Sequence, residues 1–88
     1  MRKTRKMIIV RDIIGSRRAD SDKKALLVVK AIDDASKTYS ALGIDFYGLN
    51  KVSSDFLVPI MQKRTETEDC EIYLCNLKIE DQSLLRGL

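Results

Sequence analysis

Two adjacent serines followed by an aspartate form the segment of this sequence with the clearest potential for chemistry. Ser53, Ser54 and Asp55 follow a turn marked by Asn50 and Lys51, and they precede an apolar stretch. Serine hydroxyls cap helix N-termini, and a carboxylate in the first turn is stabilised by the helix dipole. The segment therefore predicts a helix start. A phosphoryl group on one of these serines would add about two negative charges, so the pair is also a candidate regulatory site.

A second candidate site is the basic segment Gly15-Ser16-Arg17-Arg18, which joins an apolar stretch to a predicted helix. Backbone N–H groups at such a junction, together with guanidinium groups, can hold a phosphate or a carboxylate. Ser16, Arg17 and Arg18 are therefore anion-binding candidates. The segment lacks the G-x-x-x-x-G-K-[ST] pattern of nucleotide-binding loops. The alternative interpretation is a solvated basic helix entry.

The sequence contains few residues suited to acid–base or metal chemistry. Histidine is absent, which removes the commonest general base and the commonest neutral metal ligand. Asp45 lies in an apolar stretch without a second acid or base placed near it, so we expect a structural role for its carboxylate. Cys70 and Cys75 have no further ligands with which to bind zinc. We therefore expect reduced thiols and a cytoplasmic protein that is not an enzyme and binds no metal or cofactor.

The charge distribution along the chain is asymmetric. Residues 1–30 carry ten Lys/Arg and three Asp/Glu, a net charge of +7, whereas residues 31–88 carry six and ten, a net charge of −4. A basic front suggests a polyanionic partner, so a small nucleic-acid or nucleotide binder is one hypothesis. Aromatic residues make up only 6% of the chain and form no stacking platform for bases. We expect residues 1–6 to form a flexible basic tail and residues 7–88 to form one domain.

Apolar periodicity predicts strands that alternate with helices. The predicted order is strand 6–14, helix 19–36, strand 41–48, a helix that opens at 52–55, a charged connector at 63–69, strand 71–77 and helix 79–88. Residues 25–29 are compatible with a short strand as the alternative, and Pro59 is expected either to kink the second helix or to delay its regular part to Val58. The order predicts a single small α/β domain with a mostly parallel or mixed sheet covered by helices. No apolar run is long enough to span a membrane.

Three segments resemble STAS and STAS-like domains. Residues 42–57, LGIDFYGLNKVSSDFL, resemble the family's hydrophobic strand that ends in Asp-Phe and leads to a Ser-Ser pair opening a helix. Residues 15–19, GSRRA, are similar to the Ser-Arg-x-x-Ala helix entry of bacterial STAS-like domains, and residues 74–77 resemble the family's last strand. The resemblance implies a small α/β fold that acts as a non-enzymatic switch. The best known switches of this family are anti-sigma factor antagonists, which dock on an ATP-binding kinase.

The resemblance implies Ser53 as the position of phosphorylation, with Ser54 as its neighbour. Val52 and Asp55 stand where the family pattern has an acidic residue and a glycine. The leading hypothesis is a regulatory module that docks on a protein partner. The predicted docking residues are Ser53, Ser54, Asp55, Phe56 and Leu57. An exposed apolar patch near Phe56, Leu57 and Met61 would indicate a homodimer or a docking face. A phage or defence-system inhibitor that masks a partner surface is a further alternative.

Overall fold

Strands and helices alternate along the chain in the computed structural model, which describes residues 3–87. The elements are β1 (Lys6–Ile9), α1 (Val10–Ile14), β2 (Arg18–Ala19), α2 (Asp22–Ser36), β3 (Ala41–Asp45), β4 (Lys51–Val52), α3 (Ser54–Glu66), β5 (Glu71–Cys75), α4 (Ile79–Gln82) and a 3₁₀ turn (Ser83–Gly87). β1, β3 and β5 form a parallel sheet with β3 in the centre, and β2 and β4 form a second parallel pair. The predicted single α/β domain with alternating strands and helices is confirmed.

The core lies between one face of the three-stranded sheet and the helices α2 and α3. In the parallel register Ile8 lies beside Ile44, and Leu42 lies beside Ile72. All four side chains are buried, as the two-residue period of a strand requires for positions on one face. The helices complete the core with fully buried side chains from both: Ala25, Val28, Ile32, Phe56, Leu57 and Ile60.

Helix α2 begins where a serine cap precedes an apolar stripe. The Ser21 Oγ accepts a hydrogen bond from the backbone N–H of Lys24 at 3.2 Å. Val28 and Ile32 are fully buried at the spacing of one helix face. The helix is confirmed, and the alternative of a strand at residues 25–29 is wrong. α2 starts at Asp22 rather than at residue 19, because Arg18–Ala19 pairs with β4 instead.

Residues 10–14 form helix α1, so the strand predicted over residues 6–14 ends at Ile9. Val10 is fully buried and Ile14 packs against the core, since a spacing of four places both on one helix face. Gly15 ends the helix with a φ of 65° and donates its N–H to the Arg11 carbonyl at 3.0 Å. Glycine adopts this left-handed conformation without a steric penalty. A continuous apolar run does not distinguish a strand from a short buried helix, which explains the wrong prediction.

The other two sheet strands are also shorter than predicted, because each runs into a turn. β3 ends at Asp45 rather than at residue 48, and Gly48 in the following turn has a φ of 80°. β5 ends at Cys75 rather than at residue 77, and Asn76 has a φ of 58°. Asparagine tolerates the left-handed region better than most residues do, so it suits the end of this strand.

The two C-terminal helical segments differ from the prediction in opposite directions. α3 starts at Ser54, contains Pro59 and continues to Glu66, so the alternative in which the regular helix begins only near Val58 is wrong. The connector predicted over residues 63–69 is therefore shorter, and it lies between the end of α3 at Glu66 and the start of β5 at Glu71. The single helix predicted over 79–88 divides into α4 and the 3₁₀ turn, and Leu88 lies outside the described residues. From residue 3 to residue 87, no helix combines the length and the apolar character that crossing a membrane requires.

Residues 3–6 of the predicted basic tail belong to the sheet or continue it, since Lys6 begins β1 and Lys3 pairs with Tyr39. The Lys3 N–H donates to the Thr38 carbonyl at 2.8 Å, and the Ser40 N–H donates to the Lys3 carbonyl at 2.9 Å. The ammonium groups of Lys3 and Lys6 lie 5.9 Å and 5.6 Å from the centre of the Tyr39 ring. This part of the segment is thus bound to residues 38–40 rather than separate from the domain. Arg2 lies outside the described residues.

Candidate functional site

The short β2–β4 ladder brings the two candidate segments of the sequence together. Arg18 pairs with Lys51 and Ala19 pairs with Val52. Hydrogen bonds extend this pairing on both sides: the Asn50 N–H donates to the Arg17 carbonyl at 2.7 Å, and the Ser53 N–H donates to the Ala19 carbonyl at 2.9 Å. The basic loop therefore lies beside the start of α3. We call the combined region, which comprises Ser16, Arg17, Arg18, Lys51, Ser53, Ser54 and Asp55, the helix-entry surface.

Ser53 is the N-cap residue of α3, as the sequence predicts. Its Oγ accepts a hydrogen bond from the backbone N–H of Phe56 at 3.3 Å, and its side chain is partly buried. Ser54 and Asp55 occupy the first turn and are exposed. The carboxylate of Asp55 is thus placed where the positive end of the helix dipole stabilises it.

Phe56 and Leu57 belong to the core and not to the surface, which corrects their predicted docking role. Both side chains are fully buried. The Phe56 ring packs edge-to-face on Phe46 at a centroid distance of 6.4 Å and an interplanar angle of 84°. Side chains without solvent exposure cannot contact a partner while the fold is intact, so they cannot provide the expected homodimer patch either. Their role is to anchor the first turn of α3, which carries Ser54 and Asp55.

Ser16 and Arg18 form hydrogen bonds within the Ser16–Arg18 loop and with the residues that lead into α2. The Ser16 Oγ accepts from the Arg18 N–H at 3.1 Å. The Arg18 Nε donates to the Asp20 carboxylate at 3.1 Å, and the Lys24 Nζ donates to the same carboxylate at 2.9 Å. These hydrogen bonds, from Lys24 first and Arg18 second, lower the pKa of Asp20. Asp20 is therefore shared by Arg18 and Lys24, so the Arg18 guanidinium is already engaged in an ion pair within the chain.

Arg17 and Lys51 are the cations of the helix-entry surface that remain available to a ligand. Both side chains are exposed, and neither forms an ion pair with any residue in the described part of the chain. The backbone of Arg17 is fixed by its bond to Asn50, so the exposed guanidinium projects from an ordered position. Of the three predicted anion-binding residues, Arg17 is thus the one whose side chain is suited to that role.

Arg17 also lines a groove at the carboxyl edge of the three-stranded sheet. The groove has a volume of about 560 Å³. We call it the carboxyl-edge groove; its polar and exposed lining residues are Arg17, Tyr47, Asn50, Asn76, Lys78 and Ile79. Tyr47 is 66% exposed and Ile79 is 85% exposed. Ligands of open α/β sheets bind at the carboxyl ends of the strands, so this groove is in the expected place for a binding site.

Asp45 stabilises the wall of the groove. Its Oδ1 accepts hydrogen bonds from the Tyr47 N–H at 2.9 Å and from the Asn76 Nδ2 at 2.9 Å. The structural role expected for this carboxylate is confirmed. Burial first, and the neighbouring Asp45 carboxylate second, raise the pKa of Cys75, which keeps its thiol protonated. Within residues 3–87, no group of three or more Cys, Asp or Glu side chains is arranged to hold a metal ion.

Sequence reasoning missed Tyr47, Asn76 and Lys78 as groove residues. All three lie just after strands whose ends the predictions placed too late in the chain. The usable signal was Asn76, because an asparagine after an apolar strand favours a turn with a positive φ. The sequence prediction also missed the position of Arg11, because it placed this residue in a strand and not in α1. Its guanidinium lies against Gly48, where an added Cβ would be only 2.6 Å from Nη1.

These features define a small α/β domain with a helix-entry surface and an adjoining groove at the carboxyl edge of a parallel sheet. No protein-family model matches the chain, and neither a curated protein nor a solved structure shows significant similarity to it.

Proposed function

We propose that this chain is a non-enzymatic regulatory module that docks on a protein partner through the helix-entry surface. The observation that carries the proposal is the β2–β4 ladder, because it joins a basic loop to a serine-capped helix start. The resemblance to STAS-like domains supports the same surface, since that resemblance implies a switch at Ser53. A cytoplasmic location is part of this proposal.

The charges of the helix-entry surface define the kind of partner that it fits. Arg17 and Lys51 are exposed and form no ion pair with any residue from 3 to 87, so an acidic patch on the partner would gain attraction without displacing an ion pair among these residues. Ser54 and Asp55 lie on the exposed first turn of α3 and offer hydrogen-bonding groups at the border of this basic area. We therefore expect a partner surface that is acidic opposite Arg17 and Lys51 and that carries donors opposite Asp55.

Phosphorylation of Ser53 would regulate such docking through charge. A phosphate at a helix N-terminus is favoured by the helix dipole, so α3 would tolerate the modification. The added charge would partly neutralise the basic area that faces the acidic partner. Modification of Ser53 is therefore expected to release the partner rather than to recruit it.

Site-specific photo-crosslinking in cells that express the chain tests the docking surface. A photoreactive residue replaces Ser54 in one variant and Lys51 in a second, and both are expected to capture the same protein. A third variant at Asp34, exposed on α2, is the matched control and is expected not to capture it. The captured protein is then purified, and its binding is expected to weaken at least about tenfold for Arg17→Glu. Equal capture at Asp34, or unchanged binding by Arg17→Glu, would contradict the proposal.

The regulatory step has its own test with the purified partner. If the partner is a kinase, incubation of the complex with ATP and mass spectrometry are expected to locate phosphate on Ser53. Ser53→Asp, which keeps the cap, is expected to bind the partner more weakly than Ser53→Asn does. Equal affinities of the two variants would rule out control of docking by charge at this position.

A single-stranded nucleic acid or nucleotide in the carboxyl-edge groove is the second candidate function. Its specific support is the exposed ring of Tyr47 beside Arg17 and Lys78, which combines a stacking surface with two cations. A salt titration of binding to a labelled single-stranded oligonucleotide is the test. We expect affinity to fall steeply with salt, and the slope to decrease by about one for each of Arg17→Ala and Lys78→Ala. Affinity that is independent of salt would contradict this function.

A further inference from the structure

The three-stranded sheet has helices packed on only one of its faces within the described part of the chain. The covered face carries Ile8, Ile44 and Ile72, which are buried in the core. On the opposite face, Met7 is 45% exposed and Ile9 is 38% exposed. Parallel sheets in α/β proteins are normally covered on both faces, because their strands are apolar on both sides. The second face is therefore a candidate interface, which we call the open sheet face.

The strand register defines the rows of the open sheet face. Met7 lies beside Gly43, and Gly43 lies beside Tyr73, so the three form one row across the sheet. A Cβ at Gly43 would lie 2.6 Å from the Met7 Sδ and 2.9 Å from the Tyr73 Cε2. The two outer side chains thus close over the central glycine and form a shallow apolar centre. In the next row toward the carboxyl ends, Asp45 lies between Ile9 and Cys75.

Opposite charges lie at the two corners where the strands begin. Glu71 is exposed at the start of β5 and lies beside Ala41. Arg5 is exposed immediately before β1. The parallel pairing of Lys3 with Tyr39 continues the register of β1 and β3, so Arg5 lies level with Ala41, and the two-residue alternation of an extended chain places it on the same face as Met7. Neither Arg5 nor Glu71 forms an ion pair with another described residue. The face therefore carries a positive corner on the β1 side and a negative corner on the β5 side.

We propose that the open sheet face binds a second copy of this chain about a two-fold axis parallel to β3. Such an axis exchanges the β1 and β5 sides and keeps the amino ends of the strands together. Arg5 of each copy then lies opposite Glu71 of the other, and Met7 lies opposite Tyr73. This arrangement forms two Arg5–Glu71 pairs across the interface, one at each side, as expected for an isologous interface. A second copy is favoured over an unrelated partner because the face is complementary in charge to itself.

The same geometry indicates that the dimer is weak. Strands about 4.8 Å apart that rise about 3.3 Å per residue give three strands a face of only a few hundred Å². The area buried by two copies is thus below the roughly 1,200 Å² at which stable specific interfaces begin. The two Asp45 carboxylates approach each other near the axis, which opposes association. We therefore expect a dissociation constant of about 10–100 μM, in the range of transient complexes.

Sedimentation equilibrium of the full chain at concentrations from about 1 μM to about 1 mM tests the proposal, since this range brackets the expected constant. Arg5→Glu and Glu71→Arg are each expected to weaken the dimer at least about tenfold, because each places like charges opposite each other. The double variant restores both pairs with reversed sign and is expected to dimerise as the unmodified chain does. Lys30→Glu, an exposed change on α2 with the same effect on net charge as Arg5→Glu, is the matched control and is expected to leave the dimer unchanged.

A second pair of variants tests the apolar centre. Met7→Glu is expected to abolish the dimer, whereas Leu26→Glu, at a leucine that is 58% exposed on α2, is expected to leave it intact. Circular dichroism checks that Met7→Glu is folded, and the charge-reversal series decides the question if it is not. A monomer at every concentration would overturn the proposal. A dimer that none of these variants weakens, or a double variant as weak as the single ones, would also overturn it. None of these measurements depends on the docking partner.

Discussion

The backbone N–H of Ser53 donates a hydrogen bond to the carbonyl of Ala19 at 2.9 Å, and this bond continues the β2–β4 pairing up to the cap of α3. The consequence is that the start of a helix and a basic loop, separated in the sequence by all of α2 and β3, are held side by side. The bond lies at the border between the core, which contains Ala19 and Phe56, and the helix-entry surface, which contains Ser54. Packing thereby positions the groups that we propose for docking.

Removal of the Ser53 cap should lower stability. In Ser53→Ala the Phe56 N–H loses its side-chain acceptor and keeps only the Ser53 carbonyl at 3.2 Å. We expect the free energy of unfolding to decrease by about 1 kcal/mol, the usual cost of losing an N-cap. Ser53→Asp keeps an acceptor and should remain close to the unmodified chain. Ser54→Ala, at the exposed neighbouring position, is the control and should change stability by less than about 0.5 kcal/mol. Urea denaturation measures all three, and equal costs for Ser53→Ala and Ser54→Ala would contradict the assignment of the cap.

Truncation of Leu57 should lower the stability of the fold, because this side chain belongs to the core and not to a docking surface. The side chain is fully buried, and Leu→Ala in a core costs about 2–5 kcal/mol. A domain of this size has a total stability of roughly 5–10 kcal/mol, so Leu57→Ala should lose a large part of it. The midpoint of thermal or urea unfolding reports the loss. Leu57→Ala with unchanged stability would show that Leu57 is on the surface, as the sequence alone suggested.

Gly48 should be intolerant of a side chain for two separable reasons. Its φ is 80°, and a Cβ would lie 2.6 Å from the Arg11 Nη1. Alanine at a positive φ costs about 1 kcal/mol, and displacement of the Arg11 side chain adds to that cost. Gly15→Ala is the matched control, because Gly15 has a φ of 65° and nothing within 4 Å of an added Cβ.

A double-mutant cycle separates the two costs at Gly48. In an Arg11→Ala background, the penalty of Gly48→Ala should fall to that of Gly15→Ala, since only the backbone strain then remains. Chemical denaturation of the four variants gives the coupling. A penalty at Gly48 that is unaffected by Arg11→Ala would show that the guanidinium does not lie against this turn.

The ion pair between Asp33 and Lys63 should make stability depend on pH in the acid range. The Lys63 Nζ donates to the Asp33 Oδ1 at 2.9 Å and joins α2 to α3. This hydrogen bond and the charge of Lys63 lower the pKa of Asp33 from its ordinary value of 3.8. A carboxyl group with a lowered pKa in the folded state stabilises the fold above its unfolded-state pKa. We expect that contribution to be complete above pH 3.8 and to be lost as the pH falls further.

Urea denaturation at a series of pH values measures this dependence. Asp33→Asn should flatten the acid limb of the stability curve, because the variant has no carboxyl group to protonate at this position. Lys63→Gln should flatten it in the same way, and the double variant should add little to either change. An acid limb as steep in Asp33→Asn as in the unmodified chain would show that other carboxyl groups control acid unfolding.

The elements that the sequence predicts best are those with several periodic residues and a cap. In α2 the serine cap and the apolar stripe Ala25, Val28 and Ile32 agree, and the helix forms as expected. In α1 the apolar residues Val10, Ile13 and Ile14 are compatible with a strand as well as with a helix. Only Gly15, whose left-handed φ suits a helix end, favours the helix. The predicted strand ends come too late because the apolar pattern continues through Tyr47 and Leu77, which lie in the turn after β3 and in the loop after β5.

The candidate site could be predicted in parts but not as a whole. Ser53 was found because an N-cap is a local signal. Phe56 and Leu57 were assigned to the surface, although their spacing to Ile60 is that of a buried helix face. The adjacency of the two segments could not be predicted, since β2 and β4 have two residues each and so short a strand has no periodicity.

Hydrogen–deuterium exchange of the chain with and without the captured partner tests the docking claim most directly. We expect binding to protect backbone amides at residues 16–18 and 50–56 together, because the β2–β4 ladder makes these segments one surface. Amides of β1 and of the exposed part of α2 should exchange at unchanged rates at concentrations where the chain is monomeric. Protection confined to β1 or to α2, with residues 16–18 and 50–56 unaffected, would contradict docking through the helix-entry surface.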